Sequence, residues 1–188
     1  MGLGLRRGTV ALEPHSTEWE ITAQQSIDRL REILRDAAVD VQHIGSTAIS
    51  GICAKPIIDL VVGTADFQAI LARNPVLAEN GFLFRGQDHP EQYLYVCGEG
   101  EIRTHHIHVV LYQSVLWQQY IDLRDYLNCH PADAQAYAAR KKVLAEQFAA
   151  DRNTYTARKS DMIRALLTKA QDWRSGVICE ITGPDGSL

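Results

Sequence analysis

The sequence predicts a mixed α/β (α+β) protein, with a small mixed β-sheet in its first part and only helices from about residue 114 onward. Short apolar runs bounded by Gly, Pro and polar residues occur between positions 39 and 112, a pattern typical of strands. After position 114, apolar residues recur at the three- and four-residue spacing of helices. A chain of 188 residues fits one domain. We expect it over residues 1–170, followed by a loosely ordered tail over residues 171–188.

The first half alternates helical and strand patterns. The turn Pro14-His15-Ser16-Thr17 predicts the start of a helix. Strands are predicted at residues 39–44 and 57–62, where β-branched residues dominate. A helical stretch then begins at Phe67 and breaks near Asn74-Pro75, because proline disfavours helical conformation in the residue before it. A short strand is predicted at residues 82–85, so this half supplies the start of the sheet.

The remaining strands and helices follow from turn residues. Residues 92–97 and 102–112 flank Gly98-Glu99-Gly100-Glu101, which predicts a β-hairpin. The next helix follows Ser114 and is ended by His130-Pro131. Ala-rich residues 132–149 and residues 154–170 predict two more helices. We take this helical half as part of the same domain.

Composition excludes several classes of protein. The net charge of −4 argues against a general nucleic-acid-binding protein, which needs an excess of Lys and Arg. No apolar run approaches the length of a membrane span, so no membrane partner is expected. Cys53, Cys97, Cys129 and Cys179 are widely scattered, which argues against disulfides or a zinc site, and three of them lie among apolar neighbours, which predicts small buried thiols in a reducing cytoplasm. The oligomeric state stays open.

Residues 43–61 carry the strongest functional pattern. The strand at 39–44 runs into Gly45-Ser46, where backbone N–H groups and the hydroxyls of Ser46 and Thr47 can hold an anion. Asp59 lies in the middle of the apolar strand that follows. A carboxylate there is costly unless something pairs with it, so it is a candidate site residue. An ordinary helix cap at Ser46 and a solvent-facing Asp59 are the simpler readings.

A histidine cluster strengthens the hypothesis of a site. Strand alternation places His106 and His108 on one face of their strand and His105 with Ile107 and Val109 on the other. Two histidines on one face can bind metal, relay a proton or contact phosphate. If their strand neighbours Asp59, the three side chains form one cluster.

Basic residues complete the candidate site. Lys55 precedes the Asp59 strand, Arg103 enters the histidine strand, and Lys159 lies one turn after Tyr155. Arg124 interrupts an apolar helix face, although pairing with Asp122 or Asp125 would also explain it. The Arg140-Lys141-Lys142 run indicates a solvated helix face rather than a binding patch.

Several motifs together resemble the GrpB-like family of bacterial proteins. In chain order they are HIGSTA at residues 43–48, KPIID at 55–59, RTHHIH at 103–108, LRDYL at 123–127, His130-Pro131, and the segment from Tyr155 to Lys159. The resemblance covers roughly residues 10–170. It implies a polymerase-β-like nucleotidyltransferase fold, with Gly45-Ser46 as the phosphate-binding turn and Asp59 as a metal-site carboxylate.

The resemblance leads to a hypothesis of nucleotide or phosphorylated-metabolite binding, with nucleotidyl transfer as the first reaction to test. We expect Mg²⁺ or another divalent metal at Asp59 and His106, and His106 and His108 on the transferring group. Phosphate or nucleotide contacts are expected from Gly45, Ser46, Thr47, Lys55, Arg103, Arg124, Tyr155 and Lys159.

The chain departs from the active members of that superfold. They hold two metals with two carboxylates two residues apart and a third nearby. Here the positions two residues before and after Asp59 are Ile57 and Val61, which cannot bind a metal. A non-catalytic nucleotide or cofactor sensor with a degenerate metal site is therefore the alternative. A metal-dependent hydrolase and a scaffold without a ligand also stay open.

Overall fold

The computed structural model describes residues 2–176, in which two short sheets and six helices form. The elements are β1 (Leu5–Arg6), α1 (Thr17–Leu34), β2 (Asp40–Ile44), β3 (Ile58–Thr64), α2 (Phe67–Leu71), α3 (Asn74–Glu79), β4 (Leu83–His89), β5 (Gln92–Cys97), β6 (Ile102–Arg103), β7 (His105–Leu111), α4 (Val115–Cys129), α5 (Pro131–Gln147) and α6 (Arg152–Arg174).

The main sheet has five strands in the order β2-β3-β7-β5-β4. Strands β3 and β7 are parallel and the other neighbours are antiparallel. The predicted fold class, mixed α/β (α+β) with a small mixed sheet and a helical second half, is confirmed. The antiparallel pairing of β5 with β7 also confirms the predicted hairpin partners.

The predicted strand at residues 102–112 is wrong as one continuous strand. Its first two residues form β6, which pairs with β1 in a separate two-stranded sheet. Thr104 separates the two strands, since its N–H bonds to Cys97 O at 3.0 Å and its carbonyl accepts from Ile58 N at 2.9 Å. This excursion brings Arg103 close to the N-terminal segment.

Helix α1 covers one face of the sheet. Ser16 caps it by accepting a hydrogen bond from Glu18 N. Its buried residues, among them Leu30 and Leu34, pack on Ile58, Leu60 and Ile107 in the main apolar core. Ile58 and Leu60 of β3 therefore point toward α1, and strand alternation sets Asp59 on the opposite face.

The other face of the sheet meets the helical half. Ser114 caps α4 by accepting from Trp117 N at 3.2 Å, and Trp117 packs on Ile44, Val61 and Val110. Helix α6 crosses back over α4, where Arg174 Nε lies 2.8 Å from Asp122 Oδ1. Between these helices and the sheet lies the candidate site.

The last helix extends past the predicted end of the domain at residue 170. Helix α6 continues to Arg174, and Trp173 packs against the helical core, so the predicted tail at 171 begins inside a helix. Residues 177–188, with Cys179, lie outside the described residues. Across residues 2–176, no helix is both long and apolar enough to cross a membrane.

Candidate functional site

Asp59, His106 and His108 form one cluster on the helical side of the sheet. Parallel pairing of β3 with β7 sets Asp59 beside His106 and Val61 beside His108. The Asp59 Oδ1 atom lies 3.1 Å from His106 Nδ1 and 3.8 Å from His108 Nε2. Both predicted histidines therefore face the carboxylate, as the alternation of β7 indicated.

The Asp59 carboxylate stays ionised. Burial alone would raise the pKa of Asp59, but hydrogen bonding and positive charge from His106 and His108 lower that pKa well below its usual range. On its far side, His108 Nδ1 lies 3.5 Å from the Tyr120 hydroxyl, which donates to Gln92 Oε1. Burial raises the pKa of Tyr120, so the phenol keeps its proton.

The turn after β2 touches this carboxylate directly. Ile44 pairs with Asp59 across the sheet, and Gly45 follows with a φ of 71°. A Cβ at Gly45 would lie 2.6 Å from Asp59 Oδ2, so only glycine permits this approach. The Gly-Ser turn therefore lies directly against the Asp59 carboxylate.

The hydroxyls after Gly45 already have partners. Ser46 Oγ lies 3.3 Å from the Tyr137 hydroxyl, and Thr47 Oγ1 lies 2.9 Å from His43 Nε2. The segment after Gly45 is a single 3₁₀ turn, Ser46–Ala48, which is too short to supply a helix dipole. Any anion held here would depend on side-chain charge more than on backbone N–H groups.

That charge comes from lysines around a cavity of about 170 Å³ beside Asp59. Lys55 Nζ lies 5.2 Å from the centre of the Tyr155 ring and Lys159 Nζ lies 5.9 Å from it. Burial, together with the charge of Lys159, lowers the pKa of Lys55 to about 8. The structure thus brings Tyr155 and Lys159 of α6 together with Lys55 and Asp59, which lie far from them in sequence.

Lys141 is a site residue that sequence reasoning missed. It was predicted to lie on a solvated face, but it is only 1% exposed and lines the same cavity. Its Nζ donates to Cys53 O at 2.7 Å and lies 4.5 Å from the Tyr137 ring centre. Burial lowers its pKa to about 7. Arg140 and Lys142 are exposed, so the prediction is wrong for Lys141 alone.

A second, more apolar cavity of about 200 Å³ adjoins the first through Ser46, Asp59, His108 and Lys159. Its remaining walls are largely aliphatic and aromatic, and they include Ile44, Ile49, Tyr120, Leu123, Tyr137 and Ile163. A cavity with one charged end and one apolar end suits a ligand with both a phosphate and a ring.

Arg124 lies in the wall of this apolar cavity, with its nitrogen atoms already engaged. Nη1 donates to Gln42 Oε1 at 2.9 Å and to His43 O at 3.0 Å, and Nε donates to Asp125. The pairing with Asp125 that the sequence left open is present. Arg124 therefore holds α4 to β2.

Arg103 does not reach the Asp59 cavity. It lines a third cavity, of about 230 Å³, on the other side of Lys55 and His106, which line both. The predicted residues thus divide between neighbouring spaces along the sheet edge.

The residues present do not fit a two-metal centre. Among residues 2–176, no group of three or more His, Cys, Asp or Glu side chains is arranged to hold a metal ion. The predicted pair, Asp59 and His106, offers one carboxylate and one imidazole that are hydrogen-bonded to each other. Mg²⁺ prefers six oxygen ligands. Asp59 and His106 alone supply too few oxygen ligands for this ion, and Mg²⁺ binding at this pair stays a prediction.

The comparison with protein families matches the GrpB protein model to residues 9–169. The chain belongs to the GrpB family. A relative, the "Glutamate-rich protein GrpB" of Alkalihalophilus pseudofirmus, is 37% identical over 172 residues, which cover 89% of this chain and 99% of that protein. The family resemblance seen in the sequence is thus confirmed.

The solved structure of a family member supports the GrpB fold. The conserved protein GrpB from Enterococcus faecalis matches with a TM-score of 0.77 and 24% identity, over 86% of this chain and 99% of that one. Similar structures also include Cid1 in complex with its short product ApU, with a TM-score of 0.44 and 16% identity, over 70% of this chain and 40% of that one. At that TM-score the likeness says nothing about what this chain binds.

Proposed function

We propose that this protein binds a nucleotide or a similar phosphorylated small molecule between the sheet and the helical half. A phosphate group lies between Lys55 and Lys159, with the Ser46 and Thr47 hydroxyls nearby. The ring of the ligand occupies the apolar cavity beside Tyr120 and Tyr137.

The crowding of lysines around one carboxylate carries this proposal. Lys55, Lys141 and Lys159 line one cavity of about 170 Å³ in which Asp59 is the one acidic side chain among the described lining residues. Burial, and after it repulsion by the neighbouring lysines, lowers the pKa values of Lys55 and Lys141. A bound phosphate restores charge balance there, because each ammonium donates to its oxygens without any metal.

Nucleotidyl transfer is the second candidate function, and the Asp59–His106 hydrogen bond favours it. In the neutral form of His106, the 3.1 Å contact with the ionised Asp59 carboxylate places the ring proton on Nδ1 and the lone pair on Nε2. That nitrogen is suited to take the proton of an attacking hydroxyl. The hydroxyl oxygen would form a bond to the α-phosphorus, and pyrophosphate would leave.

The deciding experiment is isothermal titration with each nucleoside triphosphate, in EDTA and in Mg²⁺. We expect binding in EDTA, and a loss of about tenfold or more in Lys159→Met, because a charge-assisted contact contributes roughly 1.5–3 kcal/mol. Lys142→Met, on the exposed face of α5, is the matched control and should bind normally. No binding of any triphosphate would contradict the nucleotide form of the proposal and redirect the search to other phosphorylated metabolites.

Asp59→Asn separates the two candidates. In metal-free binding, removal of a like charge beside the phosphate should strengthen affinity. If binding instead needs both Mg²⁺ and Asp59, a metal-dependent transferase becomes the better assignment. Turnover of a bound triphosphate that His106→Gln abolishes would support transfer, and binding without turnover would support a sensor.

A further inference from the structure

The third cavity is built from arginines that come from separate parts of the chain. Arg7 follows β1, Arg85 lies in β4, Arg103 ends β6 and Arg152 begins α6. All four line one cavity of about 230 Å³, which we call the arginine cavity, and Leu94 and Val96 are among its apolar lining residues. Like charges repel, so such convergence is unfavourable unless an anion offsets it.

These arginines have little compensation from the protein. Within the described part of the chain, none of the four forms an ion pair with a carboxylate, whereas Arg6 at the same cavity pairs with Glu101 at 2.7 Å. Arg103 is only 8% exposed, and its one side-chain hydrogen bond runs to Ile102 O at 3.4 Å. Burial, then the charges of Arg85, Arg7 and Arg152, lower the pKa of Arg103.

The arginine cavity adjoins the Asp59 cavity. Lys55, Ile57, His106 and Arg152 line both of them. One ligand can therefore place a first phosphate at Lys55 and continue past His106 toward Arg103. Guanidinium groups suit such a continuation, because their planar fork matches two phosphate oxygens at once.

We propose that the arginine cavity binds the distal phosphates of a polyphosphate chain whose first phosphate lies beside Lys55. The chain is either free inorganic polyphosphate or the tail of a nucleoside polyphosphate. The second form rests on the proposed function, and the first stands without it. In both, a ligand with a single phosphate leaves the arginines unused.

The test compares ligands by phosphate number in EDTA and physiological salt, where weak surface attraction is screened. The two series are phosphate, pyrophosphate and tripolyphosphate, and AMP, ADP and ATP. We expect affinity to rise along both. Arg7→Gln/Arg85→Gln removes two exposed arginines that line this cavity and not the Asp59 cavity. It should weaken tripolyphosphate and ATP by about tenfold or more and leave AMP unchanged.

Arg140→Gln, an exposed arginine on α5 outside the three cavities, is the matched control and should change neither series. Equal affinity for AMP and ATP, or an unchanged ATP affinity in the double variant, would overturn the inference and leave the proposed function intact. A third outcome is that tripolyphosphate binds and needs Arg7 and Arg85, whereas AMP does not bind and ATP binds no more tightly than tripolyphosphate. This outcome would support the arginine cavity and contradict nucleotide binding. Failure of tripolyphosphate and ATP alike to bind the wild type would overturn it as well.

Discussion

Strands β3 and β7 present two faces with different physical chemistry, although successive residues of the same strands form both. Toward α1 point Ile58, Leu60 and Ile107, which are at most 1% exposed. Toward the helical half point Asp59, His106 and His108, which line open cavities. Because side chains alternate along a strand, neighbouring residues of β3 and β7 point to opposite faces, and the face decides whether a residue packs in the core or lines a cavity.

The three histidines of β7 show the same division within one strand. His105, on the α1 face, has its ring nitrogens 3.1 Å from Ser26 Oγ and 2.9 Å from Thr104 Oγ1. Burial lowers its pKa to about 4, so it is a neutral structural residue at physiological pH. His106, its neighbour, faces an ionised carboxylate instead. Two histidines one position apart therefore have different surroundings: His105 packs against α1, and His106 contacts the Asp59 carboxylate.

The largest expected effect is on the α1 face. Leu60→Ala removes a fully buried side chain and leaves a cavity, so we expect the free energy of unfolding to fall by about 3–4 kcal/mol. Urea denaturation measures this. Asp59→Asn, the adjacent residue on the other face, should change stability much less while altering ligand affinity. Similar stability losses in the two variants would break the comparison between the faces.

Gly45→Ala tests whether the close contact between Gly45 and Asp59, on the cavity face, contributes to stability. The added Cβ would meet Asp59 Oδ2 at 2.6 Å, and the φ of 71° disfavours any side chain. We expect a loss of about 2–3 kcal/mol by urea denaturation, together with weaker ligand binding. Gly51→Ala is the control, since its φ is 73° but nothing lies within 4 Å, and it should lose only about 1 kcal/mol. Equal losses would mean that contact with Asp59 contributes nothing.

The pH dependence of stability distinguishes the two kinds of histidine. The pKa of His105 falls from 6.5 to about 4 on folding, so between these pH values the unfolded chain binds a proton that the folded chain does not. Stability should therefore decrease as pH drops from 6.5 to 4, by about 2–3 kcal/mol from this residue. His105→Gln should flatten that part of the profile. Identical profiles in urea denaturation at successive pH values would contradict the assignment.

The faces of β3 and β7 could be predicted from sequence because a period of two fixes them locally. Lys141 was missed, although a signal existed: Ala134, Tyr137, Lys141 and Leu144 follow one another at helical spacing and are all buried. Because Lys141 stands between Arg140 and Lys142, it was assigned with them to a solvated face. A basic residue at an apolar position of a helix is the pattern that would have identified it.

The arginine cavity had no comparable signal. Arg7, Arg85 and Arg152 lie in segments whose approach depends on the pairing of β1 with β6 and on the start of α6. Local pattern predicts neither. Arg124 shows the converse, since its position suggested a ligand contact and tertiary structure gave it Gln42, His43 and Asp125 as partners.

The smallest expected change in stability, at Lys141, sharpens the comparison most. Because burial lowers the pKa of Lys141 from 10.5 to about 7, its charge is destabilising at neutral pH, and this penalty is relieved as pH rises toward 10.5. Lys141→Met removes the buried charge and loses the hydrogen bond to Cys53 O. We expect a net gain of about 1 kcal/mol at pH 7 by urea denaturation.

Phosphate affinity should fall in the same variant, measured by titration, whereas Lys142→Met should change neither quantity. A loss of stability in Lys141→Met would instead assign Lys141 to the core, as on the α1 face. A gain in stability together with a loss of phosphate affinity in Lys141→Met would show that Lys141 destabilises the folded protein but contributes to binding. Ligand binding would then account for a buried ammonium in that position.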